Sequence, residues 1–152
     1  MIFQSKLLKR SYHKPCDEFY RELKEKGLSE DQIKNVVIDM EDPDLSYPYA
    51  RDVLHKRPFP EGEKAISESP VWAYWYALEV LKRPFPEGEK AISESPVWAY
   101  GYARDVLKRP FPAGEKAIAS NPFWACKYAQ DVLKLVSKPK QEAWRREVLE
   151  SK

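Results

Sequence analysis

Apolar and polar residues follow a pattern that returns after 26 positions through the middle of the chain. The string KRPFPEGEKAISESPVWAY occupies positions 56–74 and returns unchanged at 82–100. A fixed period of about 20 to 50 residues is typical of repeat proteins. We therefore divide this part of the chain into three full repeats and a preceding, degenerate half-copy. The half-copy covers 42–56, and the full repeats cover 57–82, 83–108 and 109–134.

Each full repeat predicts a short helix and a long helix joined by a turn. The long helix begins where Ser, Asn or Asp precedes proline, because these side chains cap a helix and proline suits its first turn. These start signals are Asp42-Pro43, Ser69-Pro70, Ser95-Pro96 and Asn121-Pro122. The short helix begins at Pro60, Pro86 and Pro112. Each long helix is expected to end at Lys-Arg-Pro, since the residue before proline avoids helical geometry.

The apolar residues of the long helix predict which face is buried. At about 100° per residue, Trp72, Tyr76, Val80, Ala73 and Ala77 share one broad arc. Such an arc is wider than the stripe of a surface helix and fits a helix packed between neighbours. The predicted core therefore includes the aromatic residues that recur on this arc and in the turn, namely Trp72, Trp98, Trp124, Phe59, Phe85 and Phe111.

The sequences on either side of the repeats predict helices that cap the array. A helix over 16–27 is expected to end at Gly27, and a second begins at Ser29, where Gln32 completes a capping box. A final helix is predicted from about Pro139, with Trp144 and Val148 against the last repeat. The predicted fold is an all-α, solenoid-like array of helix-turn-helix units. It comprises an N-terminal arm with capping helices (1–41), the repeats (42–134) and a C-terminal capping helix (135–152).

The repeats resemble short α-helical tandem repeats of uncharacterised phage and bacterial proteins that carry a WAYxYAxDVLKxRFPxxE pattern. The resemblance covers roughly 42–134 and leaves 1–41 outside it. It implies a helical repeat architecture and a phage-related origin, and it implies no activity. The chain departs from the pattern at KRPFP, where proline replaces a glycine-containing linker and stiffens the turn.

Composition and charge narrow the function classes. The chain has a net charge of +2 from 26 basic and 24 acidic residues, and the nearly neutral repeats argue against a dedicated nucleic-acid binder. We expect no membrane span, because the apolar runs are short, and no secretory signal at the N-terminus. Cys16 and Cys126 match no metal or redox spacing and are expected to be free thiols. These features predict a cytoplasmic protein, in the host cytoplasm if it is phage-encoded.

The sequence offers no constellation for catalysis. His13 and His55 are the only histidines, and both are expected at the surface. No cluster has metal-ligand spacing, and no glycine-rich loop could hold phosphate. We therefore expect no enzyme activity, no cofactor, no metal and no small-molecule substrate.

The positions at which the repeats differ are the candidate binding residues. On the long helix of the first full repeat they fall at 71, 75 and 78, on a stripe that continues to 82 and is expected to lie opposite the buried arc. An exposed apolar stripe often marks an interface, and tryptophan and arginine tend to dominate binding energy. Two alternatives remain, since residues 1–16 could cover Trp75 internally, or the stripe could be neutral drift. The candidate partner-binding residues are Val71, Trp75, Leu78, Val97, Arg104, Phe123 and Lys127.

These observations predict a non-catalytic module that binds a protein partner or self-associates. If the phage resemblance holds, the partner is a host protein that this chain engages or inhibits. The alternative is a nucleic-acid-associated factor, whose phosphate contacts would be sensitive to salt. The alternative phosphate-binding residues form a ladder at the helix ends: Lys56, Arg57, Lys82, Arg83, Lys108 and Arg109. Cations at these positions also complement the helix dipole without any ligand.

Overall fold

The computed structural model describes residues 16–151, and every regular element in that range is helical. Ten α-helices follow one another there, interrupted or extended by short 3₁₀ and π-helical segments. This confirms an all-α helical repeat array. The chain divides into two compact units, 1–66 and 67–152. The boundary falls inside the first full repeat, just before the last residue of its short helix. The predicted surface position of His13 and the predicted arm over 1–15 lie outside the described residues.

The first unit is built from the N-terminal helices and the half-copy. Its helices are α1 (Cys16–Glu25), α2 (Glu30–Met40), α3 (Pro43–Pro48) and α4 (Glu63–Ser67), whose last residue belongs to the second unit. The capping box is confirmed, because Ser29 Oγ accepts from the Gln32 N–H at 3.2 Å and Gln32 Oε1 accepts from the Ser29 N–H at 2.8 Å. Gly27, at φ 83°, ends the first helix as expected. Ile33 and Val37 of α2 are buried.

The half-copy follows the full repeats closely but contains one additional residue, which the sequence alone would place at His55. α3 continues as a π-helical segment, Tyr49–Val53. His55 and Lys56 both adopt left-handed backbone geometry, at φ 53° and 59°. The Lys56 N–H donates to Ala50 O, as the Arg83 N–H does to Ala77 O in the first full repeat. His55 therefore takes the helix-ending position of Lys82, and Lys56 is the extra residue.

The second unit contains the long helix of the first repeat and the whole of the next two. Its further helices are α5 (Pro70–Trp75), α6 (Glu89–Ser93), α7 (Pro96–Gly101), α8 (Pro112–Ser120), α9 (Pro122–Asp131) and α10 (Lys138–Glu150). The expected caps form at Ser69 and Asn121, whose side chains accept backbone N–H groups. The Ser95 side chain makes no such bond, although its carbonyl oxygen accepts from the Ala99 N–H.

In the first two full repeats the second half of the long helix is wider than an α-helix, which the sequence did not predict. α5 continues as a π-helical segment, Tyr76–Leu81, and α7 continues as Tyr102–Leu107. In the third repeat, the Leu133 N–H donates to Tyr128 O five residues back, so the same widening begins there. Wider turns rotate the residues after the first half of the helix away from the positions that a uniform 100° step assigns them.

A lysine in left-handed geometry ends each long helix of the second unit. Lys82, Lys108 and Lys134 have φ angles of 52°, 53° and 58°. This is the helix-ending position that glycine usually occupies, because other L-residues are strained there. The turn is closed by the next N–H, which reaches back six residues, as from Arg109 to Ala103 O at 3.2 Å. The chain therefore changes direction at a lysine, and Arg-Pro follows Lys82 and Lys108.

The aromatic core differs in part from the predicted one. Tyr76, Tyr102 and Tyr128 are fully buried, and Phe59, Phe85 and Phe111 are buried as expected. Trp72, Trp98 and Trp124, by contrast, are only half-buried. The prediction that these tryptophans form the core was therefore wrong. The tyrosines lie at the centre because Ala73 and Ala77 of the same helix leave room for close neighbours, and both alanines are fully buried.

Successive repeats are joined by rings. Tyr76 of the first repeat meets Phe85 of the second with centroids 5.2 Å apart, and Tyr102 meets Phe111 at the same distance. The third repeat has no successor, and there Trp144 of α10 contacts Tyr128 at 5.3 Å. Trp144 thus supplies the ring that a further repeat would supply. This confirms the expected contact of α10 with the last repeat, although Leu149 remains 43% exposed.

Tyr102 and Tyr128 also fix the turn and the short helix of their own repeats. Tyr102 Oη accepts from the Phe85 N–H at 2.9 Å and donates to Glu89 Oε1 at 2.8 Å. Tyr128 makes the same two bonds, to the Phe111 N–H and to Glu115. Burial raises the pKa of Tyr102, and the bonded Glu89 carboxylate also raises it. The hydroxyl therefore stays protonated and remains a donor.

A glycine and an alanine approach each other closely where successive repeats meet. A Cβ placed on Gly88 would lie 2.7 Å from Ala73 Cβ and 2.7 Å from the Phe85 ring. Gly114 stands in the same relation to Ala99 and Phe111. Both glycines are buried at the start of a short helix. The short helix of one repeat can therefore reach the long helix of the preceding repeat only where neither side carries a larger residue.

Replacing Tyr102 by phenylalanine tests the hydrogen bond between the buried tyrosine and the turn of its repeat. Tyr102→Phe should lower the free energy of unfolding by about 1–3 kcal/mol, because the Phe85 N–H loses its partner inside the protein. Urea unfolding measures the loss. Tyr74→Phe is the matched control, since its hydroxyl donates to the part-exposed Asp105 and its removal should cost less than about 1 kcal/mol. Equal losses in the two variants would contradict the role given to Tyr102.

Adding one methyl group tests the close approach. Gly88→Ala and Gly114→Ala should each lower the free energy of unfolding by about 1–3 kcal/mol through overpacking, even though alanine favours helix. Gly101→Ala is the control, because its Cβ would meet only the edge of the Tyr74 ring at 3.2 Å. It should change stability by less than about 1 kcal/mol, since the gain in helix propensity offsets the contact. A stabilised Gly88→Ala protein would show that the repeats are not in contact there.

Candidate functional site

The predicted stripe of the first repeat is less exposed than expected. Val71, Trp75 and Leu78 are all half-buried. The Trp75 ring meets the edge of the Tyr74 ring at 5.1 Å. In the second repeat the position of Trp75 is Gly101, which is buried and lies against Tyr74. Only a small residue fits there because the Tyr74 ring fills the space, so the difference between Trp75 and Gly101 has a packing reason.

Arg104 is exposed, but the protein already uses its guanidinium group. Nε and a terminal nitrogen donate to the two carboxylate oxygens of Asp105 at 2.7 and 2.8 Å. The other terminal nitrogen donates to Tyr100 Oη at 3.0 Å, and the guanidinium lies over the Tyr100 ring at 5.0 Å. Arg51 of the half-copy pairs with Asp52 in the same way. Arg104 is thus partly a structural residue.

Hydrogen bonds connect this arginine to two neighbouring repeats. Tyr74 Oη of the first repeat donates to Asp105 Oδ2 at 2.7 Å. Tyr100 Oη donates to Asp131 Oδ2 of the third repeat at 2.5 Å. The bonded Arg104 lowers the pKa of Asp105, and the Tyr74 hydroxyl acts in the same direction. Polar residues therefore bridge three repeats outside the tyrosine core.

Phe123 and Lys127 of the third repeat are exposed. Phe123 is 59% exposed and leans on Trp124, with ring centroids 4.8 Å apart. Val97, which occupies the place of Phe123 in the second repeat, is half-buried. The partner-binding candidates are thus not equivalent, because only Phe123 presents a large apolar side chain mainly to solvent.

The half-buried and exposed apolar residues at the start of the three long helices form what we call the apolar ridge. It consists of two adjacent residues from each of the three repeats: Val71, Trp72, Val97, Trp98, Phe123 and Trp124. Ring contacts between repeats hold it in place, with Tyr74 against Trp98 at 5.2 Å and Tyr100 against Trp124 at 5.3 Å. The tryptophan positions were misassigned to the core because projection alone does not show where neighbouring helices stop covering a face.

The residues of the proposed phosphate ladder are all exposed. In the second unit these are Lys82, Arg83, Lys108 and Arg109, which lie at the ends of two successive long helices. In the first unit they are Lys56 and Arg57, and Arg57 donates to Leu54 O at 2.9 Å. Lys108 and Arg109 also line a cleft of about 230 Å³ together with Arg104, Asp131 and Lys134.

Within the described range the structure shows no group of side chains that could hold a metal ion. No helix there is long and apolar enough to cross a membrane. His55 is exposed, as predicted. Cys126 is an exposed, unpaired thiol, whereas the predicted free state of Cys16 concerns a side chain outside the described set.

The fold defines an α-helical repeat protein with a 26-residue unit. Comparison with protein-family models, curated proteins and solved structures gave no match. The proposed likeness to phage and bacterial repeats therefore stays a prediction.

The Arg104–Asp105 pair predicts a pH dependence of stability. Because the folded-state pKa of Asp105 is lowered, its stabilisation is complete above the unfolded pKa of about 3.9 and is lost as pH falls through the folded value. Asp105→Asn should lower the free energy of unfolding at neutral pH by about 1 kcal/mol or less, because the pair is partly exposed. Urea unfolding from neutral to acidic pH should show a smaller acid loss in this variant than in the parent protein. Identical acid losses would contradict the pairing.

Proposed function

We propose that this protein is a non-catalytic protein-binding module and that the apolar ridge is its binding surface. The observation that carries this proposal is the 59% exposure of Phe123 at a position where all three full repeats place an incompletely buried apolar residue. A contiguous apolar surface that a folded chain leaves exposed often marks a site that a partner covers. Aromatic residues at such positions commonly dominate binding energy.

The ridge is suited to binding because its rings are held in place before a partner arrives. Phe123 contacts Trp124, and Trp124 contacts Tyr100 of the preceding repeat. Side chains that are already ordered lose little conformational entropy on association. Trp75 and Leu78 are half-buried and would extend the surface along the first repeat, while Lys127 would contribute to its rim.

The expected phage relationship makes a host protein the partner that we propose, met in the host cytoplasm. The competing occupant of the same ridge is a second copy of this protein. The exposure of all six ladder residues supports nucleic-acid association as a second candidate function. Salt distinguishes the candidates, since phosphate contacts weaken steeply with salt, whereas burial of an apolar ridge does not.

Replacing Phe123 tests the proposal. Phe123→Ser should leave the urea midpoint nearly unchanged, because the ring is mostly exposed. It should weaken partner capture about 30-fold or more, the hot-spot scale of about 2 kcal/mol. Val136→Ser is the control, because Val136 is 95% exposed and lies between α9 and α10. Capture is measured from nuclease-treated bacterial lysate, and self-association by sedimentation.

The result to expect is a partner, or a second copy, retained by the parent and by Val136→Ser and lost by Phe123→Ser. Equal retention by all three proteins would contradict the ridge as the binding surface. Trp75→Lys, which copies Lys127, tests how far the surface extends. A normal midpoint with weaker capture would place Trp75 in the interface, and unfolding would place it in the interior.

A further inference from the structure

The cleft beside Arg104 lies where the long helices of the second and third repeats end. Its side chains include Arg104, Lys108 and Arg109 from the second repeat, and Asp131 and Lys134 from the third. At about 230 Å³ it is smaller than the pockets of about 300–1,000 Å³ that hold drug-sized ligands. A compact ligand would fit.

The charges in this cleft are not balanced by the protein. Arg104 is neutralised by its two bonds to Asp105. Asp131 turns Oδ2 toward the Tyr100 hydroxyl rather than toward a lysine. Lys108, Arg109 and Lys134 are exposed, and none of them takes part in an ion pair recorded for the described range. Three cations thus face one carboxylate, which leaves an excess of two positive charges.

A second observation is the strained backbone conformation of Lys108 and Lys134. Lys108 and Lys134 have φ angles of 53° and 58°, where glycine would relieve the strain that an L-residue carries. A cation near a helix end complements the dipole, but it would do so equally from the strain-free residues of the last turn. The neighbouring N–H groups are used within the turns, with Arg109 N bonded to Ala103 O and Leu135 N to Ala129 O. Ligand recognition in the cleft therefore falls to side chains.

We propose that this cleft binds a phosphate group through Lys108, Arg109 and Lys134. A phosphate monoester carries close to two negative charges at neutral pH, which matches the excess in the cleft, whereas a single carboxylate would leave one cation unmatched. The planar guanidinium of Arg109 can bind two phosphate oxygens at once, and the lysines act as point charges. This site is separate from the apolar ridge and does not depend on the function proposed for it.

Two sources could supply these two negative charges: the phosphate of a small phosphorylated molecule, or two neighbouring phosphates of a nucleic-acid backbone, each of which carries one charge. The first repeat distinguishes them. Its helix ends in Lys82 and Arg83, but Leu78 stands where the second repeat has Arg104. Lys82 does not line the cleft, so a small ligand in the cleft ignores it. A nucleic-acid strand that follows successive helix ends would contact it.

Glycine substitutions separate loss of binding from loss of folding. Lys108→Gly and Lys134→Gly each remove a cation and relieve a left-handed backbone, so their thermal midpoints should equal or exceed that of the parent. Pyrophosphate titrations at low salt, followed by calorimetry and by NMR shifts of the cleft residues, measure binding. Each variant should weaken pyrophosphate binding about tenfold, the scale of one charge-assisted hydrogen bond. Lys90→Ala, an exposed lysine outside the cleft, removes the same charge and should change binding less than about twofold.

A second titration uses a single-stranded oligonucleotide with the same variants and with Lys82→Gly. Suppose that Lys108→Gly and Lys134→Gly weaken pyrophosphate binding more than Lys90→Ala does, and that Lys82→Gly weakens only oligonucleotide binding. The cleft is then part of a longer surface that binds nucleic acid. If the oligonucleotide fails to bind while pyrophosphate binds, the ligand is a small phosphorylated molecule. The proposal is overturned if pyrophosphate does not bind by about 10 mM, or if Lys90→Ala weakens it as much as Lys108→Gly does.

Discussion

The array depends on the contact between a glycine at the start of one short helix and an alanine on the long helix of the preceding repeat. Gly88 against Ala73, and Gly114 against Ala99, leave no room for a methyl group. This close approach sets the distance between repeats, and the other interactions follow from it. The Tyr76–Phe85 and Tyr102–Phe111 ring contacts form at centroid separations of about 5 Å, the range that aromatic pairs favour, because the helices are already that close.

Tyr102, which makes the second of these ring contacts, also ties its own repeat together. One hydroxyl satisfies a backbone N–H in the turn and a glutamate of the short helix. Because the same side chain takes part in contacts within and between repeats, folding one repeat prepares the surface on which the next one packs. Stability in such arrays is close to a sum of repeat and neighbour terms. In this protein the same residues contribute to the stability of a repeat and to its contact with the neighbouring repeat. Neighbouring repeats should therefore unfold together.

The sequence predicted the helices well because their signals are local. Proline after Ser, Asn or Asp, the Ser29 capping box and the period itself each act within a few residues. It predicted the core less well, because the burial of Trp98 depends on which neighbours cover it, and a projection of one helix contains no neighbours. The π-helical segments and the left-handed lysines have no local signal that we recognise. Phe85, Glu89 and Tyr102 recur at the same spacing in the third repeat. This recurrence of a glutamate and a tyrosine is the sequence signal for the buried hydrogen bonds.

The candidate site shows the same limit. Differences between repeats selected Phe123, which is exposed, but they also selected Arg104, whose guanidinium is bonded within the protein. They missed Lys134, because it is identical to its counterparts in the other repeats. A difference between copies records what one copy tolerates, and the structure is needed to separate packing from exposure.

The unchanged string at 56–74 and 82–100 has a consequence for how such a chain can change. A stretch of coding sequence copied or lost in whole units would bring with it a glycine, an alanine, a tyrosine and a phenylalanine in matching register. Each junction so created would already be complementary, and α10 would still supply the closing ring through Trp144. The number of repeats can therefore change in a single step, because no new interface has to evolve.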